Sequence, residues 1–230
     1  GWTSSPRELR FLAESLKDSY HCRGILLEGH GLNLEALENT SWERHLSQVM
    51  EALTELEKRF EKITVIGLSY GAVLALHAAA RKQFHGLILL SPFIRSAASL
   101  IKGVSNSFYI QFLPSFVKNL GKGNSGPIND RAEGEKHIAY HKMPVKPLKS
   151  MLKGIKKAIP LLPMIKCPVL LMHSRGDQTA HYQGSVRILE GLGSRDKSLV
   201  TLIRSNHIIT LDYERERVEG EVARWLSEHN

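Results

Sequence analysis

Five short apolar runs recur along this chain, and most are separated by stretches of helical periodicity. They are "CRGILLEG" (Cys22–Gly29), "ITVIG" (Ile63–Gly67), "GLILLS" (Gly86–Ser91), "CPVLLMHS" (Cys167–Ser174) and "SLVTLIR" (Ser198–Arg204). Each is a near-continuous apolar run rather than an alternation of apolar and polar residues. That pattern belongs to strands buried on both faces. Strands alternating with amphipathic helices predict an α/β fold, a mostly parallel sheet with helices on both faces.

The helices are marked by their apolar spacing. In "SPRELRFLAESLKD", Ser5 can cap, Pro6 suits the first position and Glu8 completes a capping box. Leu9, Leu12, Ala13 and Leu16 follow at helical intervals. Trp42, Leu46, Val49, Met50, Leu53, Leu56 and Phe60 make the apolar stripe of a second helix. Further helices are expected over Tyr70–Lys82 and Val186–Leu192. A last one carries Val218, Val222, Trp225 and Leu226 on one face. The stretch 93–166 breaks the alternation with "GKGNSGPINDRAEGE" and the basic "HKMPVKPLKSMLKGIKKAIP". It reads as an insertion in a core made of residues 1–92 and 167–230.

The pentapeptide "GLSYG" (Gly67–Gly71) sits where the second run ends and a helix begins. A serine on so tight a turn projects its hydroxyl above the sheet, the nucleophile-elbow arrangement. The Tyr70 N–H then lies at a helix N-terminus, where an oxyanion would form. A serine hydroxyl needs a base, and the base needs an orienting carboxylate. Asp177 follows one strand in "HSRGDQTA" and His207 follows the next in "SNHIITLD". The order serine, acid, histidine, each at a strand C-terminal end, is that of a hydrolase triad. Other polar residues read differently. His173 is expected to be a buried, hydrogen-bonded strand residue, and Asp212 to cap the last helix. His181 fits either a site wall or a surface loop. His137 and His141, four apart without a third ligand, fit a solvated helix face better than a metal site.

Composition bounds the rest. The chain's 230 residues suit one domain, and 42% hydrophobic residues can build its core. Two cysteines, Cys22 and Cys167, form neither a disulfide framework nor a metal-ligand spacing, so a reducing, cytoplasmic setting and no cofactor are expected. No signal peptide or membrane-spanning run is visible in the sequence. The net charge of +8 fits a lysine-rich face; no nucleic-acid motif accompanies it.

With these motifs in place, the chain resembles the α/β-hydrolase superfamily. It looks most like its bacterial carboxylesterase and monoacylglycerol-lipase branch. The matching pieces are "GWTSSPRELRFLAESL", "LLEGHGLNLEALENTSW", "VIGLSYGA", "SRGDQTA" and "SNHIITLD". The resemblance implies an acyl-ester substrate, an acyl-enzyme on Ser69 and the Trp2 N–H as second oxyanion donor. It makes 93–166 a lid, with Phe108, Phe112 and Phe116 either walling an acyl chain or packing on the core. Lysines 142, 146, 149, 153, 156 and 157 could draw anionic lipid or a membrane surface. The superfamily also holds non-hydrolytic binding proteins, for which a basic lid would suit an anionic partner. The family's first three strands have no counterpart here. An apolar strand ending in His is therefore expected upstream of Gly1, and a gap one strand wide between the first two runs.

Overall fold

The computed structural model describes residues 1–97, 110, 112–114, 116–121 and 126–229. Its helices are α1 (Arg10–Leu16), α2 (Leu34–Glu38), α3 (Trp42–Glu57), α4 (Tyr70–Ala79), α5 (Arg131–Lys136), α6 (Val145–Ala158), α7 (Gln183–Gly191) and α8 (Arg215–Glu228). Its strands are β1 (Thr64–Leu68), β2 (Gly86–Leu90), β3 (Asn119–Gly121), β4 (Lys142–Pro144), β5 (Val169–Ser174) and β6 (Lys197–Leu202). The main sheet has the order β1-β2-β5-β6 and is parallel throughout. β3 and β4 form a separate antiparallel pair.

Burial explains the continuous apolar runs. β2 and β5 are central and buried at every position. Leu87, Leu89, Val169 and Leu171 face one apolar cluster, which α3, α4 and α6 complete. Ile88, Leu90, Leu170 and Met172 face a second, completed by α1 and α8. The two faces thus alternate along each strand while both stay apolar. Register pairs Leu68 with Leu90, Leu90 with Met172, and Met172 with Val200. The C-terminal ends of these strands therefore lie along one edge, where the loops after β1, β5 and β6 emerge.

The second half of the 93–166 stretch is not detached from this core. α6 buries Val145, Leu148, Met151, Leu152 and Ile155 in the same cluster as α3 and α4. A Cβ at Gly154 would lie 3.0 Å from the Trp42 ring, and the Gly154 carbonyl is 2.7 Å from His77 Nε2. Lys146, Lys153, Lys156 and Lys157 are exposed on the opposite side.

Three local expectations are corrected. Cys22–Gly29 is not a buried strand: among the described residues it forms no ladder, Ile25 and Leu27 are half-buried, and Leu26 is 54% exposed. An extended segment becomes a strand only when a neighbour takes its N–H and C=O groups. Here β1 pairs with β2 on one side, and an open cleft of about 200 Å³ lies on the other. Ile25, Leu27, Val65 and Leu74 line it. Glu8 does not close a capping box. Pro6–Leu9 is a 3₁₀ turn capped by Ser5, and the Glu8 carboxylate is hydrogen-bonded to His137 at 2.8 Å. His137 is therefore held by a hydrogen bond to a buried carboxylate rather than on a solvated helix face.

Candidate active site

Ser69 joins β1 to α4 with φ 56° and ψ −115°, a conformation L-residues rarely adopt. It is held there by its neighbours: its N–H donates to the Leu90 carbonyl at 2.8 Å, and its own carbonyl accepts from Phe93 at 3.3 Å. A Cβ at Gly67 would lie 2.6 Å from Ala72 Cα, so helix α4 leaves only glycine there. Gly71 is different: a Cβ would meet nothing within 4 Å. The turn therefore demands glycine at 67 and not at 71.

Ser69 Oγ lies 2.7 Å from His207 Nε2, and His207 Nδ1 lies 2.7 Å from Asp177 Oδ2. All three residues are buried. The other Asp177 oxygen accepts the N–H groups of Thr179 at 2.7 Å and Ala180 at 2.8 Å. Burial by itself would raise the Asp177 carboxyl. His207 and His173 outweigh it and hold the group well below the usual carboxylate range. Such a chain can pass the serine proton to a histidine while keeping the carboxylate ionised.

Two further carboxylates shape the loop that carries His207. Asp212 accepts the N–H groups of Asn206 at 2.7 Å, Asn129 at 2.8 Å, Asp130 at 2.9 Å and Tyr213 at 2.8 Å. It does not cap α8, as the sequence suggests; it ties the 126–130 segment to the residue before His207. Glu214 accepts from the N–H groups of Ile203, Arg204 and Ser205 at 2.8–3.1 Å. Asn206 Oδ1 accepts the Gln178 N–H at 2.9 Å and so joins the acid loop to the histidine loop.

Around the helix start, Tyr70 is buried and opens α4, where the first N–H groups have no intrahelical acceptor. Its hydroxyl meets His45 Nδ1 at 3.0 Å, and His45 Nε2 meets the Glu28 carbonyl at 3.0 Å. His30 stands edge-on to His45, with its Nε2 buried and unpartnered among the described residues. Trp2 is half-buried against the main cluster. His181 Nδ1 accepts the Gln183 N–H at 3.2 Å. Phe112 and Phe116 are 71% and 81% exposed, so they do not pack down on the core; Phe108 lies outside the described residues.

Burial also gives this region an acid sensitivity. It holds His30 down to about 4 and lowers His45 and His77 as well. In the unfolded chain these rings take up protons near pH 6.5. Below that pH the unfolded state binds more protons, so stability is greatest above it and falls as pH drops. For His30 the fall levels off below about 4. The thermal midpoint is expected to be lower at pH 5 than at pH 7, before most carboxylates titrate. His30→Gln should flatten that slope, and scanning calorimetry at a series of pH values checks it.

Comparison with known proteins agrees with this architecture. The family model described as serine aminopeptidase, S33 matches residues 10–214. The thermostable monoacylglycerol lipase of Bacillus sp. (strain H-257) is 27% identical over 231 residues, covering 100% of this chain and 88% of the relative. The carboxylesterase of Bacillus subtilis (strain 168) is 26% identical, covering 98% and 89%. Among solved structures, a metagenome-derived lipolytic enzyme superposes with a TM-score of 0.89 at 27% identity, over 100% of this chain and 91% of that one. The monoacylglycerol lipase of Paleococcus ferrophilus gives 0.82 at 19% identity, over 100% and 92%. Since the family model spans the sheet, the serine turn and the loops bearing Asp177 and His207, the chain belongs to the serine aminopeptidase (S33) family and has the α/β-hydrolase fold.

Proposed function

We propose that this chain is a serine hydrolase that cleaves carboxylic esters, of the acyl-ester or monoacylglycerol type, through an acyl-enzyme on Ser69. The observation that carries it is the continuous hydrogen-bonded path from Ser69 through His207 to Asp177, with both links at 2.7 Å. The names of the two curated relatives, a monoacylglycerol lipase and a carboxylesterase, support the substrate class.

His207 Nε2 takes the Ser69 proton as Oγ attacks the ester carbonyl. The Tyr70 and Trp2 N–H groups receive the developing oxyanion. The proton on Nε2 passes to the departing alcohol, leaving the acyl group on Oγ. His207 then takes a proton from water, whose hydroxide attacks the acyl-enzyme, and returns it to Oγ as the acid leaves. Asp177 keeps Nδ1 protonated and stabilises the imidazolium in both halves.

Residues 93–166 act in this reading as the lid over the site. Exposed Phe112 and Phe116 offer apolar surface to an amphiphile. Lys149 Nζ donates to the Leu113 carbonyl at 2.7 Å, which sets this aromatic segment beside basic α6. An anionic lipid surface matches that combination of charge and exposed rings. Treatment with a fluorophosphonate probe, followed by peptide mapping, tests the reading. Stoichiometric modification at Ser69 is expected. A folded protein that stays unmodified, or is modified elsewhere, would refute it, and a non-hydrolytic binder would behave in that way.

A further inference from the structure

We infer that His173 is a positioning residue for the triad: it donates a hydrogen bond to the Asp177 oxygen that serves His207, and so sets how strongly that carboxylate holds the catalytic imidazole. This inference rests on the serine-hydrolase reading for its consequence in turnover, though not for its geometry.

His173 is wholly buried on β5, four residues before Asp177. Its Nε2 lies 2.9 Å from Asp177 Oδ2 and 3.2 Å from the Ala180 carbonyl. Both neighbours are acceptors, so Nε2 carries the hydrogen. Nδ1 lies 2.6 Å from the Ser185 hydroxyl, which is itself buried on α7. The ring is thus fixed at both nitrogens. Asp177 Oδ1 is already saturated by two backbone N–H groups, so the rotation of the carboxylate does not depend on His173. What His173 changes is Oδ2: this one oxygen serves two imidazoles, His173 at 2.9 Å and His207 at 2.7 Å. A shared acceptor gives less negative charge to each donor. Without His173, the Oδ2 charge falls on His207 alone and stabilises its protonated form more.

Other ionisable groups surround the pair. Tyr182 meets the His173 ring edge-on at 5.7 Å and has the Arg175 guanidinium 5.2 Å from its ring centre. Asp212 and Glu214 stand on the His207 loop, both bound to backbone N–H groups. Among the described residues none of these is hydrogen-bonded to Asp177 Oδ2, so a change at His173 removes one of that oxygen's two imidazole donors.

The test uses the full chain with His173→Leu, which removes the donor, and His173→Gln, whose amide N–H can replace Nε2–H. Two readouts are followed: the low-field proton resonance of the His207 Nδ1–H to Asp177 bond, and the pH profile of Ser69 labelling by a fluorophosphonate. In H173L the resonance is expected to move downfield. The acid limb of labelling should shift upward by about half to one pH unit, and H173Q should restore both. An unmoved resonance or acid limb in folded H173L would overturn the inference, as would an H173Q that behaves like H173L. If H173L does not fold, Ser185→Ala releases Nδ1 and should move both readouts the same way by less; no movement there is equally fatal. Absence of Ser69 labelling in the wild type would instead refute the hydrolase reading, and the resonance would still decide this one.

Discussion

Ser69→Ala is expected to lower kcat/KM for p-nitrophenyl acyl esters by about 10⁴- to 10⁶-fold, the loss seen when a triad nucleophile is removed. The change should leave the fold intact. Ser69 Oγ is bonded to His207, and alanine at this turn carries the same positive-φ strain as serine. Stability separates the strain from the chemistry. Glycine adopts φ 56° at little steric cost, so Ser69→Gly is expected to be equally inactive yet more stable than Ser69→Ala by about 1 kcal/mol. A helix start held in strain by β1, β2 and Phe93 predicts that ordering; a relaxed turn predicts none. Urea unfolding of the two variants, alongside esterase assays, reads both effects. Ser69→Ala retaining even a tenth of wild-type turnover would remove Ser69 from the mechanism.

The parts of this site legible in the sequence are those set by local pattern and chain order. Ser69, Asp177 and His207 each follow an apolar run, and a parallel sheet in register brings such positions to one edge. What could not be read are the contacts made across long separations. Glu8 matches the capping-box spacing from Ser5, yet its partner is His137, 129 residues later. Asp212 is two residues before Glu214, the N-cap of α8, and cap-like in type, yet it bonds Asn129, 83 residues earlier. Cys22–Gly29 has the composition of a buried strand, but composition cannot supply the neighbouring strand that a ladder requires. His173 was legible as a buried polar strand residue. Its partner could also have been anticipated: four residues after it, just past the strand end, stands the proposed acid. The exposure of Phe112 and Phe116 was open on spacing alone, because aromatics four residues apart fit a core and a free surface equally well.

Asp212→Asn is expected to cost about 2–4 kcal/mol of stability and to lower esterase kcat by about 10- to 100-fold with KM little changed. The carboxylate is 1% exposed and accepts four backbone N–H groups, two at each oxygen. An amide of the same size keeps one acceptor and turns the other toward two N–H groups as a donor. A buried donor left without an acceptor costs about 1–3 kcal/mol. The penalty should be largest at Asn206, which is 2% exposed; Asn129 and Tyr213 are exposed enough for water to replace the lost bond. Asn206 is also the residue before His207 and the anchor of the Gln178 N–H, so the strain enters both loops of the triad together. The 2.7 Å links to Ser69 and Asp177 then lengthen while the proposed substrate surface at Phe112 and Phe116 is untouched, which is why kcat rather than KM should respond. Denaturant unfolding and steady-state kinetics on the same preparation check the pair. A variant within about 0.5 kcal/mol and twofold of wild type would mean that Glu214, with its own three backbone bonds, is enough to hold the histidine loop.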